Sequence, residues 1–142
     1  MITYSKKKLA KVAKLYDLKF VILHGSHAKN AAHIGSDCDI AVLGNTVLDS
    51  SRILQLHGDM ADVFGDDPDR ELDLKTLHKV DPLFRYYVVR DGVLLYGDHT
   101  AYEEFKSFAY RAYEDSRPLR ELERILSLKY QRHLNALARK YA

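Results

Sequence analysis

Apolar residues change their spacing several times along the first hundred positions, and each spacing predicts an element. Leu9, Val12, Ala13 and Tyr16 recur at helical intervals with lysines between them, so residues 5 to 17 read as a helix packed by one face, with Ser5 as its N-cap. "KFVILHG" is a β-branched apolar run closed by glycine, which predicts a buried strand ending near His24. After Gly25 the chain turns polar and opens a short helix. In "DCDIAVL", residues 37 to 43, Cys38, Ile40 and Val42 alternate with Asp37, Asp39 and Ala41, placing the two sets on opposite faces of a second strand. Ile53, Leu54, Leu56, Met60 and Val63 predict a helix across residues 49 to 63, which Gly65 and "DDPD" end. "RELDLKTL", residues 70 to 77, alternates charged and apolar positions as a third strand does. Pro82 starts a helix through about Val89, Asp91 and Gly92 make a turn, and "VLLYG" is a short extended segment or a helix end. Two helices follow, about residues 100 to 114 and 118 to 140, with Pro118 at the first helical position of the second.

This order predicts an α/β (α+β) fold, a few strands covered by helices, with a helical C-terminal tail. Its 142 residues, 46% of them hydrophobic, can bury roughly two thirds of the surface the unfolded chain exposes, so one domain spanning 1 to 142 is expected, with a core about residues 5 to 100 and a helical extension about 100 to 142. Uncharged stretches fall far short of the roughly 20 apolar residues of a membrane span, and "MITYSKKKLAKVAKLY" carries charges where a secretion signal is apolar. A cytoplasmic protein that does not enter a membrane is the expectation. The single cysteine, Cys38, excludes an internal disulfide framework, and the histidines show no zinc-finger spacing.

Net charge is only +2, but it is unevenly spread: residues 1 to 36 carry seven Lys/Arg and one Asp, while residues 37 to 99 carry six Lys/Arg and thirteen Asp/Glu. Solvated helices account for some of the lysines, and steering of an anionic ligand is the other reading. An acidic middle in a protein that handles anions is consistent only if divalent cations stand between the two.

The stretch that carries chemistry is "GSHAKNAAHIGSDCDIAVLG", residues 25 to 44. Residues i and i+2 of a strand share a face, so Asp37 and Asp39 present two hard oxygen ligands side by side, as Mg²⁺ or Mn²⁺ requires. Two such ions roughly 3.5 to 4 Å apart hold the attacking and leaving oxygens of an in-line phosphoryl displacement. Gly25 and Ser26, where a strand turns into a helix, offer backbone N–H groups and a hydroxyl to phosphates. A lone Asp-x-Asp says little among fourteen aspartates, and Asp67-Pro68-Asp69 is a second such pair in a turn. The joint occurrence of strand, Gly-Ser, gap, paired Asp and a further acidic strand is what carries the reading.

In these residues the sequence resembles the minimal nucleotidyltransferases of the DNA polymerase β superfamily, whose pattern is Gly-Ser, about ten residues, then Asp-x-Asp and apolar strand positions. Gly25, Ser26, Asp37, Asp39, Ile40, Ala41 and Val42 match it, and the likeness runs on through "ELDLKTL" and "FRYYVVRDGVLLYGD", over about residues 15 to 100. The resemblance implies a nucleotidyltransferase fold with a small mixed sheet, ATP as substrate, two Mg²⁺ ions, and Asp73 as third carboxylate on a neighbouring strand, serving metal and acting as base. It also implies an antitoxin whose partner is a HEPN ribonuclease toxin, some members transferring AMP to a toxin tyrosine. Where the family commonly has arginine after Gly-Ser and an Arg-Gly pair a little later, this chain has His27, Lys29 and Asn30. Lys29 supplies a cation for phosphate but no bidentate fork.

Among neighbouring residues, Glu71 competes with Asp73 as the third carboxylate. Cys38 reads as a small core residue, His24 as buried structure, His27 as a candidate near phosphate, and Tyr96 as the tyrosine nearest the site. The last helix has apolar residues on more than one face, which implies either burial on two sides or a partner. Three functions follow from these features: AMP transfer from ATP to a hydroxyl, an antitoxin that masks its toxin by binding alone, and nucleic-acid binding through the basic N-terminal helix, for which only the charge count speaks.

Overall fold

The computed structural model describes residues 2–33 and 35–142; Ile34, in the gap between Gly-Ser and the aspartates, and Met1 lie outside the described residues. The elements run α1 (Lys6–Leu15), β1 (Leu18–His24), α2 (Gly25–Ala28), β2 (Cys38–Gly44), α3 (Ser50–Phe64), β3 (Leu72–Thr76), α4 (Pro82–Asp91), β4 (Val93–Tyr96), α5 (His99–Asp115) and α6 (Arg117–Tyr141). Helix starts follow their caps. The Ser5 hydroxyl accepts from Lys8 N–H at 3.3 Å, Asp49 from Arg52 N–H at 2.8 Å, and Asp98 from Ala101 N–H at 2.8 Å, each satisfying a first-turn donor that the helix itself leaves open.

The four strands are ordered β3-β2-β1-β4. β1 is antiparallel to both β2 and β4, whereas β2 and β3 are parallel, joined by α3 as a crossover. The segment "VLLYG" is therefore a strand, and its edge place beside β1 comes from tertiary pairing that four residues cannot announce by periodicity. Asp37, expected inside the second strand, precedes it by one residue.

Alternation along the central strands makes two apolar layers. Val21, Leu23, Cys38, Ile40 and Val42 face α1 and α3, packing with Leu9, Ala13, Leu56 and Met60. Phe20, Ile22, Ala41 and Leu43 face the other way, toward Val88 and Val89 of α4 and Tyr102 and Ala109 of α5. Because both faces of the sheet are covered, β1 and β2 read as continuous apolar runs. The second layer ends where Phe84 of α4 and the polar ends of three strands take over.

α6 departs from the rest. It contributes no residue to either layer, and every residue from 121 to 142 is exposed. No helix among the described residues is long and apolar enough to cross a membrane.

Candidate active site

Three strands bring their polar ends together on the α4 side of the sheet. His24, the last residue of β1, stands opposite Asp39 of β2, and Asp39 stands opposite Asp73 of β3. Directly opposed residues share a sheet face, so the three side chains form one row across the strands, in the same register as Ile22, Ala41 and Lys75 one step inward. Asp37 lies two residues before Asp39 and is exposed. Its position is fixed from both sides: Cys38 N–H donates to Glu71 O at 2.8 Å, and His27 Nε2 is 3.1 Å from Ser36 O, with Ser36 Oγ accepting from His33 N–H at 2.9 Å.

The electrostatics follow from that crowding. The Asp39 carboxyl is raised above its ordinary value, first by burial, then by the charges of Asp73 and Asp37, with Lys75 and His27 acting the other way. Burial pushes His24 down to about 4, so its imidazole is neutral, and its Nε2 is buried with no hydrogen-bond partner among the described residues. Phe84 forms the inner wall of the site: its ring meets His24 edge-on at 6.0 Å, and Lys75 Nζ lies 5.6 Å from its centre. The same Lys75 Nζ is 3.4 Å from an Asp73 carboxylate oxygen.

Gly25 follows His24 at φ 72°, and a Cβ built there would overlap the Asp39 carboxylate. Only glycine therefore allows the carboxylate to lie against the turn backbone. Ser26 follows in α2, half-buried. Lys29, just after α2, reaches Asp91 at the end of α4, Nζ to carboxylate oxygen 3.4 Å, and Asp91 also accepts two bonds from Arg90, at 3.0 and 2.7 Å. Those cations hold the Asp91 carboxyl below its usual range, the Arg90 hydrogen bond foremost.

The donor set of Asp37, Asp39 and Asp73 fits a hard divalent cation in kind, since all three offer carboxylate oxygens. Among the described residues no three His, Cys, Asp or Glu side chains form a ready-made metal cage. Asp73 is instead turned to Lys75.

The polymerase beta nucleotidyltransferase family matches this sequence over residues 7–101, a span that contains the whole row and the Gly-Ser turn. The chain belongs to that family. No curated protein matches it in sequence. Among solved structures, it is 25% identical, at TM-score 0.72, to a chain of a toxin-antitoxin crystal structure with AMP-PNP, the likeness covering 87% of this chain and 98% of that one. It also shares its fold with a chain of the MntA-HepT toxin-antitoxin structure, 23% identical at TM-score 0.66 over 87% of this chain and 96% of that one. A third similar structure is that of the tri-AMPylated Shewanella oneidensis HEPN toxin in complex with MNT antitoxin, with 23% identity, TM-score 0.66, and coverage of 87% and 95%.

Within this nucleotidyltransferase, the residues expected from sequence sort clearly. Asp39 and Asp73 stand side by side, Asp37 acts on Asp39 through its charge, and Gly25 touches Asp39. Glu71 is exposed on the groove formed with Asp66 and Asp67, outside the row. Cys38 is buried on the opposite face, and burial pushes its thiol up to about 11, which leaves it inert. Tyr96 packs with the α1 and α3 layer rather than with the aspartates. Sequence reasoning missed His24, Lys75, Phe84 and Asp91 as site residues. Lys75 alone had a signal, since it lies two positions after Asp73 and so shares its face.

Proposed function

We propose that this nucleotidyltransferase transfers AMP from ATP to a tyrosine hydroxyl of a HEPN-type toxin and so acts as its antitoxin. The observation that carries this reading is the Asp39–Asp73 row set against the Gly25 turn in a chain of this family. Its similarity to a chain of the toxin-antitoxin structure with AMP-PNP supports ATP as donor, and its likeness to the complex of MNT antitoxin with tri-AMPylated HEPN toxin supports the toxin as acceptor.

Asp37 and Asp39 would hold Mg²⁺, with Asp73 completing the set. The bound cation would neutralise triphosphate charge and orient the α-phosphate. The Gly25 and Ser26 turn approaches the phosphates through its backbone, and Lys29 adds a cation at the rim. Asp73 accepts the proton of the incoming hydroxyl while Lys75 holds that carboxylate in place. The hydroxyl oxygen bonds to the α-phosphorus, the bond from that phosphorus to the bridging oxygen breaks, and pyrophosphate leaves. Phe84 and the neutral His24 close the inner side, where an aromatic acceptor ring can pack edge-on.

Mass spectrometry of the protein co-expressed with a HEPN-type toxin tests the assignment. The partner should gain AMP increments on a tyrosine. An unmodified partner that is nonetheless bound and silenced would replace this reading with masking by binding alone. The contact of Lys29 with Asp91, which draws a phosphate-binding cation aside, favours that alternative. Calorimetry supplies a second check: ATP should bind with Mg²⁺ and lose affinity in EDTA.

A further inference from the structure

α6 is a 25-residue helix, about 37 Å long at 1.5 Å per residue, with no buried residue. Its apolar side chains remain in the open: Leu119 is 59% exposed, Leu126 54%, Leu128 46%, Leu134 40% and Leu137 39%. At 100° per residue, Leu119, Leu126, Tyr130, Leu134 and Leu137 form one stripe, while Ile125 and Leu128 project from the opposite side. Beyond Glu123 the helix carries Arg124, Lys129, Arg132, Arg139 and Lys140 and not one carboxylate side chain. An exposed apolar stripe of this size marks a docking surface.

The root of the helix is tied to the wall of the catalytic site. Arg120 lies 4.1 Å over the Tyr113 ring, Tyr113 meets Tyr86 of α4 edge-on at 4.4 Å, and Arg90 covers both Tyr86 and Tyr87. Arg90 binds Asp91, which holds Lys29 beside the phosphate turn. Between α4 and α5 these side chains border a groove of about 580 Å³ lined by Tyr86, Arg90, Tyr110 and Arg111. Tyrosine and arginine are the side chains that anchor protein interfaces.

We propose that α6 is a docking arm for the AMP-accepting protein, which encloses the helix on two sides in an apolar groove with acidic rims. This rests on the proposed function. The charge pattern selects the occupant. Two copies paired in parallel along α6 would set their carboxylate-free basic segments against each other, which disfavours that dimer, whereas a partner with acidic rims complements them. A membrane surface would bury the stripe but leave Leu128 and Ile125 facing water, whereas a protein groove covers both sides. A partner so held lies next to the α4 wall and can reach the aspartate row with a tyrosine.

The test uses the full-length protein, with three variants chosen at exposed positions so that folding is retained: Leu126→Gln with Leu134→Gln, Leu128→Gln alone, and Arg132→Gln with Arg139→Gln. Circular dichroism and Mg²⁺-ATP binding should match wild type in all three. Affinity for a HEPN-type toxin that the wild type binds should fall on the order of 100-fold in the leucine double variant and about 10-fold in each of the others. AMP addition to that protein should fall in parallel. Unchanged affinity in the leucine double variant overturns the proposal. So does a wild-type dimer that the variants dissolve, which assigns α6 to a second copy, and so does wild-type binding to phosphatidylserine vesicles that Leu128→Gln leaves intact. Partner binding that depends on α6 without any AMP on the partner supports the arm and overturns the reaction instead.

Discussion

The catalytic end of the sheet and α6 are built on opposite principles. At the sheet, His24, Asp39 and Asp73 stand in register on strands whose neighbours Ile22, Ile40 and Ala41 are fully buried, so the positions of polar groups are dictated by packing behind them. Along α6 no side chain is buried. On the proposed function, chemistry that depends on fractions of an ångström would sit on the rigid part, and recognition of a large partner on the part whose surface the domain leaves uncovered. If this division is right, substitutions should separate by region: those at the row remove turnover and spare the fold, those on the arm remove the partner and spare both.

The largest effect is expected at the row. Asp39→Asn keeps the volume and removes a charged ligand, so AMP transfer should drop on the order of 10³-fold, about 4 kcal/mol of transition-state stabilisation. Stability should hold or rise. Because the folded-state pKa of Asp39 is raised, the folded form disfavours its charge, and that cost is present above the folded pKa and absent below the unfolded one. Asparagine removes the cost at neutral pH. Transfer by Asp39→Asn at wild-type rate, measured with labelled ATP, would contradict the role given to the row.

Gly25→Ala comes next. A Cβ there collides with the Asp39 carboxylate at a φ that L-residues avoid, so we expect about 10²-fold less transfer from the displaced carboxylate and about 1–2 kcal/mol less stability. Urea melts together with single-turnover rates separate the two losses. A variant that melts lower but transfers normally would show that the turn does not position Asp39.

A smaller, pH-dependent effect belongs to His24. Its folded pKa of about 4 lies below the ordinary 6.5, so the group favours the folded state above pH 6.5, and this is lost as pH falls toward 4. Between pH 7 and pH 5 the loss is about 2 kcal/mol. In His24→Phe this part of the acid sensitivity should vanish, and the orphaned Nε2 goes with it, adding about 1 kcal/mol at pH 7. Equal pH slopes for the two proteins in denaturant titrations would refute the assignment.

How far the site could be read in the sequence follows from the range of the forces involved. Gly25, Asp37 and Asp39 were legible because turn and strand chemistry act over a few residues, and the same is true of α1, α3 and the cap Ser5. Asp73 emerged from family resemblance, while its register against Asp39 is set by the α3 crossover, which no local pattern encodes. Phe84 and His24 meet only because α4 folds back over the end of β1, and Asp91 reaches Lys29 for the same reason. β4 was ambiguous since four residues at a sheet edge, only partly buried, carry too little periodicity to tell strand from helix end. For α6 the sequence showed apolar residues on two sides, but whether the domain or a partner covers them is a tertiary fact.

The smallest expected effect sharpens the comparison most. Leu56 of α3 and Leu134 of α6 are the same residue type in a helix, yet Leu56 is fully buried and Leu134 is 40% exposed on a helix with no buried residue. Truncation to alanine removes the same atoms from both. At Leu56 it should cost about 2–5 kcal/mol, because burial is lost and a cavity remains. At Leu134 the change should stay within about 0.5 kcal/mol for the isolated protein, since alanine is at least as good a helix former and no burial is lost. With the partner bound, the order should narrow, Leu134→Ala then lowering the melting temperature of the complex while leaving that of the free protein in place. Thermal melts of each variant with and without the HEPN-type protein measure both numbers. A free protein destabilised by Leu134→Ala as much as by Leu56→Ala would mean that α6 folds back onto the domain in solution, and the separation of rigid chemistry from open recognition would fall with it.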